Sequence, residues 1–82
     1  MPKPTSLSGK KNLIGQRLIE LRRIHGLSQR DLARRLQLAG YDIDKNVITR
    51  IENNQRYVSD IEIQAFATVF HVSYEFLIDG VE

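Results

Sequence analysis

Four times in 82 residues, an apolar residue precedes a helix-capping side chain, and a second apolar residue follows four positions after the cap. The instances are Leu27-Ser28 with Leu32, Ile43-Asp44 with Ile48, Val58-Ser59 with Ile63, and Val72-Ser73 with Leu77. Each cap oxygen accepts a hydrogen bond from an N–H that the first helical turn leaves unpaired, and the flanking apolar pair staples the entering chain onto the helix. Asp31 and Glu62 occupy the third helical position of two of these starts, where a carboxylate returns the bond and completes a capping box. A chain punctuated in this way must fold as a string of short helices. No segment sustains the period-two alternation of a half-buried strand, so the expected class is all-α.

Read along the chain, residues 1–11 hold two prolines, two serines and three lysines with a single leucine, the composition of a disordered basic arm. A single domain is expected over residues 12–80. Its first helix is predicted from about Asn12 to His25, with Ile14, Leu18 and Leu21 forming one apolar stripe and Gly26 as a left-handed stop. The second helix starts after Ser28, buries Leu32, Ala33 and Leu36, and ends near Leu38 or Ala39. The third starts after Asp44, buries Ile48 and Ile51, and stops at Asn53, with Asn54 adopting the positive φ more often given to glycine. The fourth follows Ser59 and buries Ile63, Phe66, Ala67 and Phe70, while a brief fifth runs from Tyr74 to about Ile78. The prediction is a five-helix bundle.

Size and composition narrow the function. A chain of this length forms one domain with a small core. No apolar run approaches the roughly 20 residues of a membrane span, and Met1 to Lys11 lacks the apolar stretch of a secretory signal. Cysteine is absent, which excludes disulfides and thiolate chemistry and fits the cytoplasm as the expected location. All twelve Lys and Arg lie between Lys3 and Arg56 with only five of the ten acids, so residues 1–56 carry +7 and residues 57–82 carry −5. The first two-thirds of the chain therefore project a positive field suited to a polyanion; an unevenly charged solvated surface gives the same count.

The stretches GLSQRDLARRL, NVITRIENNQR and HVSYEFLIDG, in that order, resemble the Cro/C1-type helix-turn-helix family of phage repressors and Cro proteins, grouped with the xenobiotic-response-element regulators. The resemblance covers nearly all of residues 12–80. It rests on the Ser28-Gln29 helix start, the Leu32-Ala33 pair, the Ile48…Ile51-Glu52-Asn53 signature and the Val72-Ser73 start. It implies a lambda-repressor-like, five-helix DNA-binding domain. One departure stands out: eleven residues separate Leu36 from Ile48, more than the family's usual spacing, so residues 39–43 lengthen the second helix or the turn after it.

In such a module the third helix lies in the major groove, and its exposed N-terminal face reads base edges. The residues matching that face are Lys45, Asn46, Thr49 and Arg50, at i, i+1, i+4 and i+5. Lys45 and Arg50 suit guanine O6 and N7, Asn46 suits adenine N6 and N7, and Thr49 suits a thymine methyl. The resemblance gives Gln29 the role of anchoring DNA phosphate at the start of the second helix, and Asn53, Gln55 and Arg56 are expected at phosphates beyond the third. It also implies a structural ion pair between Arg22 and Glu52. The same residue types make an ordinary solvated face when no DNA is bound.

No reactive constellation emerges, so an enzyme is not expected. His25 and His71 stand 46 positions apart without cysteine nearby, a poor metal site, and no cofactor or small-molecule ligand is implied. The expected function is sequence-specific binding of double-stranded DNA by a transcriptional regulator, a repressor of bacterial or phage type. A homodimer, at least on DNA, would occupy a near-palindromic operator. The alternative is a protein-interaction module of the same fold, such as an antitoxin-like or adaptor partner, docking through Tyr57, Val58, Tyr74, Phe76 and Val81.

Overall fold

A computed structural model describes residues 9–81. Five helices follow one another: α1 (Gly15–Ile24), α2 (Gln29–Leu38), α3 (Lys45–Glu52), α4 (Asp60–Phe70) and α5 (Tyr74–Asp79). No strand occurs among the described residues. Of the expected basic arm over 1–11, residues 1–8 lie outside those described.

Each of the four capping signals starts a helix. Ser28, Asp44, Ser59 and Ser73 adopt extended backbone, and their side chains accept from the N–H groups of Asp31, Val47, Glu62 and Phe76. The boxes at Ser28/Asp31 and Ser59/Glu62 close in both directions. The first helix differs from expectation. It begins at Gly15 rather than Asn12, with no side-chain cap on Ile14. Asn12 instead stands outside the helix, and its Oδ1 accepts from the Gly15 N–H at 2.8 Å.

The long α2–α3 connection comes from the turn and not from extra helix. Gly40 takes φ +95° after Ala39, and the N–H groups of Gly40 and Tyr41 return to the carbonyls of Gln37 and Leu36 at 3.0 and 2.9 Å. This is a Schellman closure, whose left-handed residue is most easily glycine. Tyr41 then packs half-buried against the core and Ile43 is buried, so the extra residues are pinned at both ends. Helix α3 ends the same way with Asn54 at φ +58°, as its N–H and that of Gln55 return to Ile51 and Arg50.

α3 packs on α1 and α2, α2 also contacts α4, and α4 carries α5. Ile14, Leu18, Leu32, Leu36, Ile48, Ile51, Phe66 and Leu77 are fully enclosed at their centre. Ile63 is a correction to the expected core: it is half-buried at the edge, where Ala65 instead completes the inner face of α4. The buried Ile48 and Ile51 fix which face of α3 turns outward.

Candidate nucleic-acid interface

With Ile48 and Ile51 enclosed, helical periodicity turns the intervening positions of α3 away from the core. Lys45, Asn46 and Arg50 are exposed, and Thr49 is half-buried where α3 meets α2. These four side chains therefore share one outward strip of an eight-residue helix. Arg50 also faces Lys11, Gln55, Arg56 and Tyr57 across a shallow cleft of about 360 Å³. Three cations and two hydrogen-bonding side chains converge there. The sequence signal for Lys11 was only general positive charge; its place beside Arg50 depends on how the chain before α1 lies against the end of α3.

The remaining candidates are placed less uniformly. Asn53 and Gln55 are exposed just beyond α3. Arg56 is half-buried, and its Nη1 donates to Glu62 Oε2 at 2.6 Å, so it is joined to the capping box of α4 as well as to the cleft. Gln29 lies at the first position of α2, where the amides of Gln29 and Arg30 precede the intrahelical ladder. Its side chain is turned toward α3: Nε2 donates to Glu52 Oε1 and Oε1 accepts from Thr49 Oγ1, both at 2.9 Å. Nothing in the sequence pattern signals that link.

Glu52 is the hub behind this surface. Arg22 donates to it twice, through Nε to Oε2 at 2.9 Å and through Nη2 to Oε1 at 3.2 Å. The third arm of the guanidinium, Nη1, holds the Leu27 carbonyl at 3.0 Å. One carboxylate thus ties α1, α2 and α3 together, and charge-assisted bonds of this forked kind fix direction as well as distance. Asn12 adds a second tie, donating from Nδ2 to the carbonyls of Ile51 and Arg56, each at 3.1 Å. Among the titratable groups, Asp31 is held below its ordinary value by the Ser28 backbone N–H and hydroxyl, helped by Arg34 and Arg35. Its carboxylate stays charged at the start of α2, complementing the helix dipole.

The sequence profile of the helix-turn-helix family matches residues 18–77, which span all but the first turn of α1 and most of α5. The chain belongs to the Cro/C1-type helix-turn-helix family. Its helix-turn-helix is α2, the long turn and α3. Among solved structures, the restriction-modification controller protein C.AhdI from Aeromonas hydrophila is 36% identical, covering 78% of this chain and 86% of its own, with a TM-score of 0.67. The hypothetical transcription factor NHTF from Neisseria shares the fold at 17% identity, covering 95% of this chain and 84% of its own, with a TM-score of 0.72. No curated protein matches the sequence. Membership of this family and the 36% identity to a controller protein support DNA-binding transcription regulation. Among the described residues no helix is long and apolar enough to cross a membrane, and no group of three or more His, Cys, Asp or Glu is placed to hold a metal ion.

Proposed function

We propose that this protein is a sequence-specific binder of double-stranded DNA that represses transcription, with α3 in the major groove. The observation that carries the reading is the outward strip of Lys45, Asn46, Thr49 and Arg50, backed by the enclosed Ile48 and Ile51. A rigid helix offering donors along one side matches the width and the donor–acceptor pattern of that groove. Gln29 at the start of α2 and Asn53, Gln55 and Arg56 beyond α3 then meet phosphates on either side, joined by Lys11 in the basic cleft. The 36% identity to a restriction-modification controller protein supports control of such a system as the specific regulatory role. Repression is the outcome needing fewest parts, since a protein seated on an operator excludes other proteins by occupancy.

Binding as a homodimer is supported by apolar side chains left outside the core on the acidic third of the chain. Ile61, Tyr74 and Val81 are each more than half exposed, and Ile61, Ile63 and Tyr74 line one groove between α4 and α5. A two-fold pair would place two copies of α3 on half-sites about one helical turn apart, hence a near-palindromic operator.

Selection of bound sequences from a random duplex pool tests the reading. Enrichment of one inverted-repeat motif is the expected result. Absence of retardation at low salt, with the protein folded, would overturn it in favour of a protein-interaction module.

A further inference from the structure

Thr49 is the one side chain of the reading strip whose hydroxyl is already engaged inside the protein, and the engagement has a direction. Glu52, paired with Arg22, accepts hydrogen bonds and donates none. The Gln29 amide therefore turns its nitrogen to Glu52 Oε1, 2.9 Å away, and its oxygen to Thr49 Oγ1, also 2.9 Å away. That oxygen can only accept. The second inward neighbour of the hydroxyl, the Lys45 carbonyl at 3.0 Å, can only accept as well. The single hydroxyl proton is thus turned inward, chiefly to the Gln29 oxygen, because the Lys45 carbonyl already carries a ladder bond of α3.

We infer that Thr49 reads DNA as an acceptor and methyl group only, and that Glu52 acts through Gln29 as the positioning pair that sets this polarity. The inference rests on α3 lying in the major groove. A threonine there ordinarily serves as donor or acceptor, and so distinguishes bases poorly. With its proton turned inward, Thr49 presents oxygen lone pairs and Cγ2. The base it faces must then offer an exocyclic amine to the lone pairs, adenine N6 or cytosine N4, or a thymine methyl to Cγ2, while guanine, whose major-groove edge carries only the O6 and N7 acceptors, is excluded. Glu52 is buried and out of reach of the groove, yet it contributes to the sequence that is read.

The experiment is sequence selection on the full chain, carried out in parallel for the parent, Thr49→Val and Gln29→Met. The parent should show one position in each half-site where adenine or cytosine exceeds guanine by roughly three- to tenfold, the weight of one net hydrogen bond. Thr49→Val keeps the shape and methyl but loses the lone pairs, so that preference disappears while the other positions hold. In Gln29→Met the proton is left with only the Lys45 carbonyl, which already carries a ladder bond of α3, so the preference shrinks at the same position. Uniform weakening in both variants with an unchanged motif overturns the inference while leaving the DNA reading standing. No enriched motif for the folded parent overturns the DNA reading and this inference with it. A third measurement needs neither DNA nor a variant. NMR of the free parent should show the Thr49 hydroxyl proton in slow exchange and close to the Gln29 side chain, and a hydroxyl exchanging at the solvent rate would overturn the inference.

Discussion

Asn12 and Ile51 lie 39 positions apart in sequence, and the Asn12 Nδ2 donates to the Ile51 carbonyl at 3.1 Å. The same nitrogen holds the Arg56 carbonyl, and Asn12 Oδ1 accepts from Gly15. One buried amide therefore joins the entry to α1 with the exit from α3. Asn12→Ala takes the partner from the Gly15 N–H and the Arg56 carbonyl, while the Ile51 carbonyl keeps the Asn54 N–H, and each buried unpaired group costs about 1–3 kcal/mol. The expected total loss is about 2–4 kcal/mol in urea denaturation. Asn12→Asp should be no better despite its shape, because it turns an acceptor toward two carbonyl oxygens. An Asp variant as stable as the parent at neutral pH would contradict this account.

The Arg22–Glu52 pair makes a comparable prediction with a different rescue. The two side chains are only 17% and 4% exposed, so removing either leaves a charge that water cannot readily reach. Glu52→Ala is expected to cost about 3–5 kcal/mol and to lower the melting temperature accordingly. Replacing both members by apolar residues of similar size should recover much of that loss, since no charge is then stranded. DNA binding by the double variant should still differ from the parent, because Gln29 loses its partner as well. A melting temperature unchanged in Glu52→Ala would rule out the pair as a lock.

What could be read from the sequence follows the range of the interaction involved. Caps and staples act within five residues, so Ser28, Asp44, Ser59 and Ser73 announced four helix starts, and the Ile48/Ile51 spacing announced the inner face of α3. The start of α1 is not legible locally, because Asn12 is explained by partners 39 and 44 positions away. The same distance problem hid the Gln29–Thr49 bond, which exists only once α2 and α3 have docked. Ile63 looked like core because its spacing from Phe66 and Phe70 is helical, but an amphipathic stripe can also border a groove, as Ile63 does.

Gly15 stands where α1 crosses the end of α3. A Cβ there would lie 2.6 Å from the Ile51 carbonyl oxygen and about as close as 3.1 Å to the Asn54 side chain. On propensity alone, glycine to alanine inside a helix gains up to about 1 kcal/mol. The steric term has the opposite sign and meets backbone that cannot swing aside, so Gly15→Ala should destabilise the fold. Chemical denaturation decides between the two terms. A stabilised variant would show that the crossing has room to open.

Asp31 provides a pH signature for the capping box of α2. Its carboxyl is held below the ordinary value of 3.8 by the Ser28 backbone N–H and hydroxyl. A carboxyl whose folded value is depressed stabilises the fold while it is ionised. That contribution is therefore complete above 3.8 and fades as pH falls through the lower folded value. The parent should exceed Asp31→Asn in stability at neutral pH, with the gap narrowing below 3.8. A gap of constant size across that range would mean the box contributes no charge-dependent stability.

Base-reading and phosphate-holding residues should separate in their response to sequence and salt. Lys45→Ala, Asn46→Ala and Arg50→Ala each remove a donor from the outward strip, so each should relax preference at one position of the selected motif, at about 1–3 kcal/mol where the contact is bidentate. Asn53→Ala and Gln55→Ala should weaken all sequences alike, because phosphates are the same everywhere. Lys11 carries charge into the cleft beyond α3, so its removal should flatten the salt dependence by about one unit of slope. Some 5–7 phosphates neutralised per protomer give a slope of about −4.5 to −6.3 in log affinity against log salt. Arg56→Ala combines two losses, a cleft charge and the partner of Glu62, and should lower both the melting temperature and the affinity. A nearly flat salt dependence for the folded parent would remove the electrostatic basis on which every one of these assignments stands.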